Sequence, residues 1–122
     1  MPHFSPSSLE HLGQCHPDLQ KVALEAIKSF DFRVICGHRG KAAQDKAFAE
    51  KKSKVRWPNS KHNKKPSLAF DAVPVPLDWN DIASFRNMAS HMNAAARKVG
   101  VKIKWGGDFK GFFDGPHFEL AG

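Results

Sequence analysis

The sequence predicts an α+β domain in which helices cover one face of a small, mainly antiparallel sheet. Apolar residues recur at helical spacing in several segments, whereas four short segments elsewhere are rich in strand-forming residues. The chain has 122 residues, of which 41% are hydrophobic, and this suffices for one modest core. We therefore predict a single domain over residues 1–122.

Four helices are predicted from capping and breaking residues. Ser7-Ser8-Leu9-Glu10 reads as a capping box that opens the first helix, and Pro17 suits the first turn of the second. The third follows Gly40, and the fourth begins near Asp78 and ends at Gly100. The residues expected to face the core are Ala43, Ala47 and Phe48 in the third helix, and Ile82, Phe85, Ala89, Met92, Ala96 and Val99 in the fourth.

Four short strands complete the predicted fold. They are expected at Phe32–Cys36, Leu68–Val75, Val101–Trp105 and Pro116–Leu120. Because side chains alternate along a strand, Asp71 faces away from Phe70, and His117 faces away from Phe118. Neighbouring strands lie roughly 5 Å apart, so Asp71 and His117 can reach one ion from adjacent strands. The basic stretch Lys51–Ser67 is expected to be a long irregular loop.

Two histidines and one aspartate, His62, Asp71 and His117, form a candidate metal site. Two imidazoles and a carboxylate are a ligand set that a catalytic Zn²⁺ uses when it keeps a fourth position open for water. Asp114 precedes His117 by three residues, and Gly115-Pro116 between them favours a turn that aims its carboxylate at that water. Either histidine alone would more often be structural. The combination favours metal-assisted amide hydrolysis.

Several motifs, taken together, resemble the zinc peptidases that cut peptidoglycan stem peptides. They are Gly37-His38-Arg39-Gly40 with Gln44, Ser60-x-His62, Ala69-x-Asp71, Trp105-Gly106-Gly107-Asp108-Phe109 and Asp114-Gly115-Pro116-His117. The resemblance runs from about residue 4 to 120. It covers both the VanY-type D-alanyl-D-alanine carboxypeptidases and the phage L-alanyl-D-glutamate endopeptidases, and it implies the fold of Hedgehog-like and D-Ala-D-Ala peptidase domains.

The resemblance also implies the roles of individual residues. It makes Zn²⁺ the cofactor, with His62, Asp71 and His117 as the metal ligands. Asp114 is implied as the general base, and Arg39 as the cation that stabilises the oxyanion.

Three further residues are candidates for contact with the substrate. These are Ser60, Gln44 and Trp105. The alternative for Ser60 is that its hydroxyl only caps the loop before His62, and the alternative for Trp105 is a core position with its N–H bonded.

The resemblance leaves more than one function open. The aspartate base, the short chain and the missing secretory signal favour an L-alanyl-D-glutamate endopeptidase that acts as a phage or prophage lysin. One alternative is a D-alanyl-D-alanine carboxypeptidase. Another is a wall-binding relative without catalysis, as Hedgehog-type domains suggest, and a third is a basic nucleic-acid-binding domain. The intact Asp114 and Arg39 argue against loss of catalysis.

The charge of +7 is concentrated in a basic cluster, which we define as the ten Lys and Arg residues from Arg39 to Lys65. Only Asp45 and Glu50 offset them there. No nucleic-acid-binding motif accompanies the cluster, so we expect no specific nucleic-acid partner. The partners expected are a peptidoglycan stem peptide and the polyanionic cell envelope, although a solvated surface would look the same.

The N-terminal residues have no basic and apolar regions of a secretory signal, and no apolar run approaches the ~20 residues of a membrane span. We therefore expect a monomer in the host cytoplasm that acts on the cell wall after release, with no separate wall-binding domain. Cys15 and Cys36 give no disulfide framework. Cys36 is expected to be a buried free thiol.

Overall fold

A computed structural model of the chain describes residues 3–109 and 113–121. Over these residues the chain is an α+β domain, which confirms the predicted class. Its four strands form one antiparallel sheet in the order β1-β2-β4-β3. The elements are α1 (Pro6–Gly13), α2 (Pro17–Ala26), β1 (Phe32–Cys36), α3 (Lys41–Ala49), β2 (Ala69–Pro74), α4 (Ile82–Val99), β3 (Ile103–Trp105) and β4 (His117–Leu120).

The core lies between one face of the sheet and three of the helices. Phe70 on β2 and Phe118 on β4 are cross-strand partners and are fully buried, with ring centroids 5.7 Å apart. Helices α1, α2 and α4 pack further core residues against this face, and the other strands add Phe32, Val34 and Trp105. Because side chains alternate along a strand, Asp71 and His117 project from the opposite, open face. This alternation separates the packing surface from the site.

Helix α3 does not join this core, and the prediction of its inward face was wrong. Ala43 is exposed, whereas Ala47 and Phe48 are only half-buried. The one buried residue of the helix is Gln44. Hydrophobic spacing missed it because its amide is satisfied by hydrogen bonds rather than by apolar packing.

The starts of two helices differ from the prediction. Ser5, not Ser7, caps α1, and its Oγ accepts a hydrogen bond from the backbone N–H of Ser8 at 3.2 Å. Asp81 rather than Asp78 caps α4. In contrast, α4 ends as predicted, because Gly100 adopts the left-handed conformation (φ +74°) that favours glycine after a helix.

The first strand has the predicted bounds, and the other three are shorter than predicted by one to two residues at their ends. A bulge interrupts β1, because Val34 pairs with Ala72 but Cys36 pairs with Asp71, so Ile35 is the extra residue. Within residues 3–109 and 113–121, no helix is both long and apolar enough to cross a membrane.

Candidate active site

Three side chains from different elements converge on the open face of the sheet. His62 lies in a single 3₁₀ turn, Lys61–Asn63, whereas Asp71 and His117 are cross-strand partners on β2 and β4. Asp71 Oδ1 lies 3.1 Å from Nε2 of His62 and 3.4 Å from Nδ1 of His117. One ligand atom from each of the three residues lies within 4.8 Å of the other two. The structure thus brings together the three predicted metal ligands.

Each imidazole is held by a hydrogen bond on the nitrogen that faces away from Asp71. Nδ1 of His62 lies 2.8 Å from the carbonyl oxygen of Gly37. A carbonyl only accepts, so Nδ1 carries the hydrogen and donates it, and Nε2 remains for a metal. Nε2 of His117 lies 2.8 Å from Glu119 Oε1, which leaves its Nδ1 as the candidate ligand atom. Such outer partners fix the tautomer and orientation of metal-binding histidines.

Ser60 fixes the turn that carries His62. Its Oγ accepts a hydrogen bond from the backbone N–H of His62 at 3.2 Å, and its own N–H donates to Asn63 Oδ1 at 3.0 Å. This reciprocal capping holds a turn that is only three residues long. Ser60 also lines the cleft above the site.

Arg39 connects the cluster of candidate metal ligands to a buried amide. Its Nη2 lies 3.3 Å from Asp71 Oδ2, and its Nη1 donates to Gln44 Oε1 at 3.0 Å. The Gln44 amide nitrogen in turn donates to Ser53 Oγ at 2.9 Å and to the Val55 carbonyl at 2.8 Å. Gln44 is 0% exposed, so this geometry disfavours the predicted contact with substrate. It makes Gln44 a residue that positions Arg39 and the segment around Ser53.

Trp105 is likewise part of the core rather than of the cleft surface. Its side chain is buried, and its Nε1 donates to the carbonyl oxygen of Gly115 at 2.7 Å. The bonded core position is the alternative that the sequence left open. Trp105 therefore supports the turn before β4 and does not line the cleft.

Asp114 sits in the predicted turn before β4. The backbone N–H of His117 donates to its carbonyl at 3.1 Å, and its own N–H donates to the Gly106 carbonyl at 3.0 Å. A side chain on Gly106 would collide with the Asp114 carbonyl, so this close approach requires glycine. Burial and the nearby charge of Asp71 raise the pKa of the Asp114 carboxyl to about 6. A carboxylate of this kind is a suitable proton acceptor near neutral pH.

Opposite charges hold the three side chains of the cluster together. Burial disfavours charge on all three groups, yet Asp71 raises the pKa of His62 to about 10 and also raises that of His117. The two imidazoles hold the pKa of Asp71 well below its ordinary value. A divalent cation at this point has to displace protons from the histidines, so its binding releases protons.

Two features of the site were not predicted from the sequence, namely the position of Cys36 and the ion pair of Lys61. Cys36 is half-buried rather than buried, and its Sγ lies 3.9 Å from both Nδ1 of His62 and Nη2 of Arg39. The bulge in β1 brings the Cys36 thiol close to His62, and no pattern in the sequence predicts that bulge. Lys61 Nζ lies 3.1 Å from Glu119 Oε2, so the partner of His117 is itself held.

A cleft of about 1180 Å³ opens above the cluster. Its lining includes the three candidate ligands, Arg39, Asp114 and Ser60, the segment from Lys51 to Val55, and the aromatic side chains of Trp79, Phe85, Phe109 and Phe113. This volume admits several residues of a peptide.

Fold and site together define a small hydrolase-type domain, with a candidate metal centre on the open face of an antiparallel sheet and a peptide-sized cleft above it. The family model of the phage L-alanyl-D-glutamate peptidases matches residues 2–121. The chain belongs to this family, as its motifs predicted.

Known proteins are similar to this chain over nearly its whole length, among them the following two. The L-alanyl-D-glutamate peptidase of Escherichia phage T5 is 29% identical over 133 residues, which cover 97% of each chain. The crystal structure of the Serratia marcescens L-Ala D-Glu endopeptidase ChiX superposes with a TM-score of 0.84 at 30% identity, covering 98% of this chain and 90% of that one. The second match bears out the predicted fold.

Proposed function

We propose that this protein is a zinc-dependent endopeptidase that hydrolyses the amide bond between L-alanine and D-glutamate in peptidoglycan stem peptides. The observation that carries the proposal is the convergence of His62, Asp71 and His117 beneath a peptide-sized cleft. It is supported by membership of a family of L-alanyl-D-glutamate peptidases. The aspartate at position 114 fits this branch better than the carboxypeptidase branch.

The donor set of the cluster fits zinc. Two imidazole nitrogens and one carboxylate oxygen are available, and hydrogen bonds to Gly37 and Glu119 already orient both rings. Three protein ligands with one position left open are typical of catalytic zinc sites. When bound, zinc acidifies water and polarises the carbonyl of the scissile amide.

The other residues of the site have roles that follow from their positions. The Asp114 carboxylate accepts a proton from the attacking water and returns one to the leaving amine of D-glutamate, which balances the hydrolysis. The Arg39 guanidinium, held by Gln44 and Asp71, meets the negative charge that develops on the carbonyl oxygen. Ser60 keeps His62 in its turn.

The bond that is cut is tested directly by mass spectrometry of muropeptides after digestion with the purified protein. We expect new peptide fragments that begin with D-glutamate, together with glycan fragments whose muramic acid keeps only L-alanine. Free D-alanine as the main product, with the stems otherwise whole, would instead identify a D-alanyl-D-alanine carboxypeptidase.

We further propose that the protein acts as a monomer, made in the host cytoplasm and released to the wall, and that the basic cluster concentrates it on the polyanionic envelope. All three candidate ligands come from one chain. The cluster carries ten positive side chains between Arg39 and Lys65. Long-range attraction of this kind raises the local concentration of a small basic protein at an anionic surface.

The role of the basic cluster predicts a difference in salt dependence between two substrates. Activity on whole walls should fall with rising salt more steeply than activity on a small soluble muropeptide, because attraction to the envelope is screened over about 8–10 Å at ordinary ionic strength. Parallel initial-rate measurements from low to high salt check this. If activity on both substrates fell equally with salt, the basic cluster would serve solubility rather than attachment to the envelope.

A further inference from the structure

One end of the cleft is cationic. Helix α3 ends at Ala49. The segment after it lines the cleft with three exposed lysines, Lys51, Lys52 and Lys54. Among the residues that the structure describes, Lys51 has no acidic partner, and Lys52 pairs only with the exposed Glu50 at 3.2 Å. The segment therefore offers positive charge to an anion in the cleft.

Buried hydrogen bonds fix the position of this cationic end. Gln44 holds the segment through Ser53 and Val55, and it also accepts a hydrogen bond from Asn63 at 3.2 Å. Asn63 belongs to the same 3₁₀ turn as His62. The first residue of that turn is Lys61, and its carbonyl oxygen accepts a hydrogen bond from the N–H of Leu68, just before β2. The lysines are therefore tied to the end of the site where β2 begins.

The other end of the cleft is aromatic. Trp79 follows β2, is 55% exposed and stacks on Phe85 with ring centroids 5.6 Å apart. Phe85 and Phe113 both lie against Gly115, the residue that leads into β4. Since β2 and β4 are antiparallel, the end of β2 and the start of β4 share one end of the sheet. We call these three aromatic residues the aromatic wall.

The candidate metal ligands lie between these two ends. Asp71 is in the middle of β2 and is paired with His117 on β4. A peptide that crosses the cleft along β2 therefore meets cations on one side of the ligands and an apolar, aromatic surface on the other.

The substrate of the proposed function has the same asymmetry about its scissile bond. On the acyl side, L-alanine is attached to the lactyl group of muramic acid, which is uncharged and carries a sugar ring. On the amine side, D-glutamate continues through its γ-carboxyl group, so its α-carboxylate stays free beside the scissile nitrogen. An exposed indole suits the apolar face of a sugar, whereas lysine suits a carboxylate.

We propose that this asymmetry sets the direction in which the stem peptide binds: Lys51 and Lys52 bind the α-carboxylate of D-glutamate, and Trp79 binds the muramoyl side of L-alanine. The inference rests on the proposed function and assigns specificity to residues outside the candidate catalytic set. It also gives Lys51 and Lys52 a role distinct from that of the exposed lysines outside the cleft, such as Lys64 and Lys65.

The cationic end is tested with two peptides that differ in one group. One is acetyl-L-alanyl-γ-D-glutamyl-lysine, and the other carries D-isoglutamine, in which the α-carboxylate is a carboxamide. The double variant Lys51→Gln/Lys52→Gln should raise KM for the carboxylate peptide roughly threefold to tenfold, as expected for two exposed ion pairs. It should leave kcat and the amide peptide unchanged. Lys64→Gln/Lys65→Gln removes the same charge from exposed lysines outside the cleft and is the matched control.

The aromatic wall is tested with a second pair of substrates. The muramoyl tripeptide is compared with the acetyl tripeptide, which has the same scissile bond and no sugar. Trp79→Ala should raise KM for the muramoyl substrate roughly threefold to tenfold, in line with one aromatic stacking contact, and leave the acetyl peptide unchanged. Leu77→Ala, an exposed apolar residue outside the cleft, is the control.

The two variants together decide the direction of binding. Loss of carboxylate preference in the lysine variant and of sugar preference in Trp79→Ala supports the proposal. An exchanged pattern, in which Trp79→Ala alters the preference for carboxylate, would overturn it, and so would effects that are equal on all substrates. In both cases wild-type cleavage between L-alanine and D-glutamate leaves the proposed function standing. A wild-type protein that cleaves none of these substrates would overturn both.

Discussion

Asp114→Asn is expected to keep the fold and the bound metal but to lose turnover by roughly 10²–10⁴-fold, the usual contribution of a general base. Asparagine preserves the shape of the side chain, but it cannot accept a proton from water. The turn itself depends on the backbone carbonyl of Asp114, which is bonded to the His117 N–H, and this bond survives the change. Single-turnover kinetics on zinc-replete protein measures the loss.

A matched control accompanies this variant. Asp108→Asn removes the same charge from an exposed aspartate that does not line the cleft, and it should leave turnover unchanged. Near-normal turnover in zinc-replete Asp114→Asn would remove Asp114 from the mechanism.

The role of Asp114 also predicts a pH dependence of the wild-type protein. Because the pKa of the Asp114 carboxyl is raised to about 6, the group is protonated below that pH, and wild-type activity should fall as the pH drops through this value.

His62→Ala and His117→Ala are expected to abolish both metal content and activity, because a site of three protein ligands loses one of them. Elemental analysis of the purified variants, beside wild type with about one zinc per chain, measures this. His91→Ala is the matched control, since its ring stacks on Phe30 away from the cleft. Either ligand variant with a full complement of zinc would show that the metal lies elsewhere.

The metal content of wild type should also depend on pH in a defined direction. In the metal-free protein, Asp71 raises the pKa of His62 to about 10 although burial opposes this, so the imidazole is protonated at neutral pH. Zinc then competes with protons, and its apparent affinity falls as the pH falls. Zinc titrations at two pH values on either side of neutrality check the sign.

The sequence predicted the class of fold from helical spacing and strand-forming segments, and it placed Asp71 and His117 by alternation along strands. Phe70 and Phe118 face the core, so Asp71 and His117 face the other way, and the antiparallel register sets them opposite each other. Helix starts were harder to predict. Serine suits the N-cap at either Ser5 or Ser7. Ser5 caps α1 because Pro6, which follows it, suits the first helical position.

Substrate contacts are harder to predict because they depend on tertiary partners. Gln44 and Trp105 carry polar groups that suit a cleft, but their hydrogen bonds run to Arg39 and to the Gly115 carbonyl, which no spacing in the sequence reveals. The same holds for Cys36, which a bulge in β1 brings beside His62, a candidate ligand. Residues on the open face of regular strands follow from alternation, whereas His62 and Arg39, which lie outside strands, were predicted from motifs rather than from spacing.

The most direct test of the account is to titrate zinc into metal-depleted wild-type protein while following cleavage of a soluble muropeptide. We expect negligible activity without metal, a linear rise on addition of zinc, and a plateau at about one equivalent per chain, as one three-ligand site requires. Full activity of the metal-depleted protein in the presence of a strong chelator would contradict it.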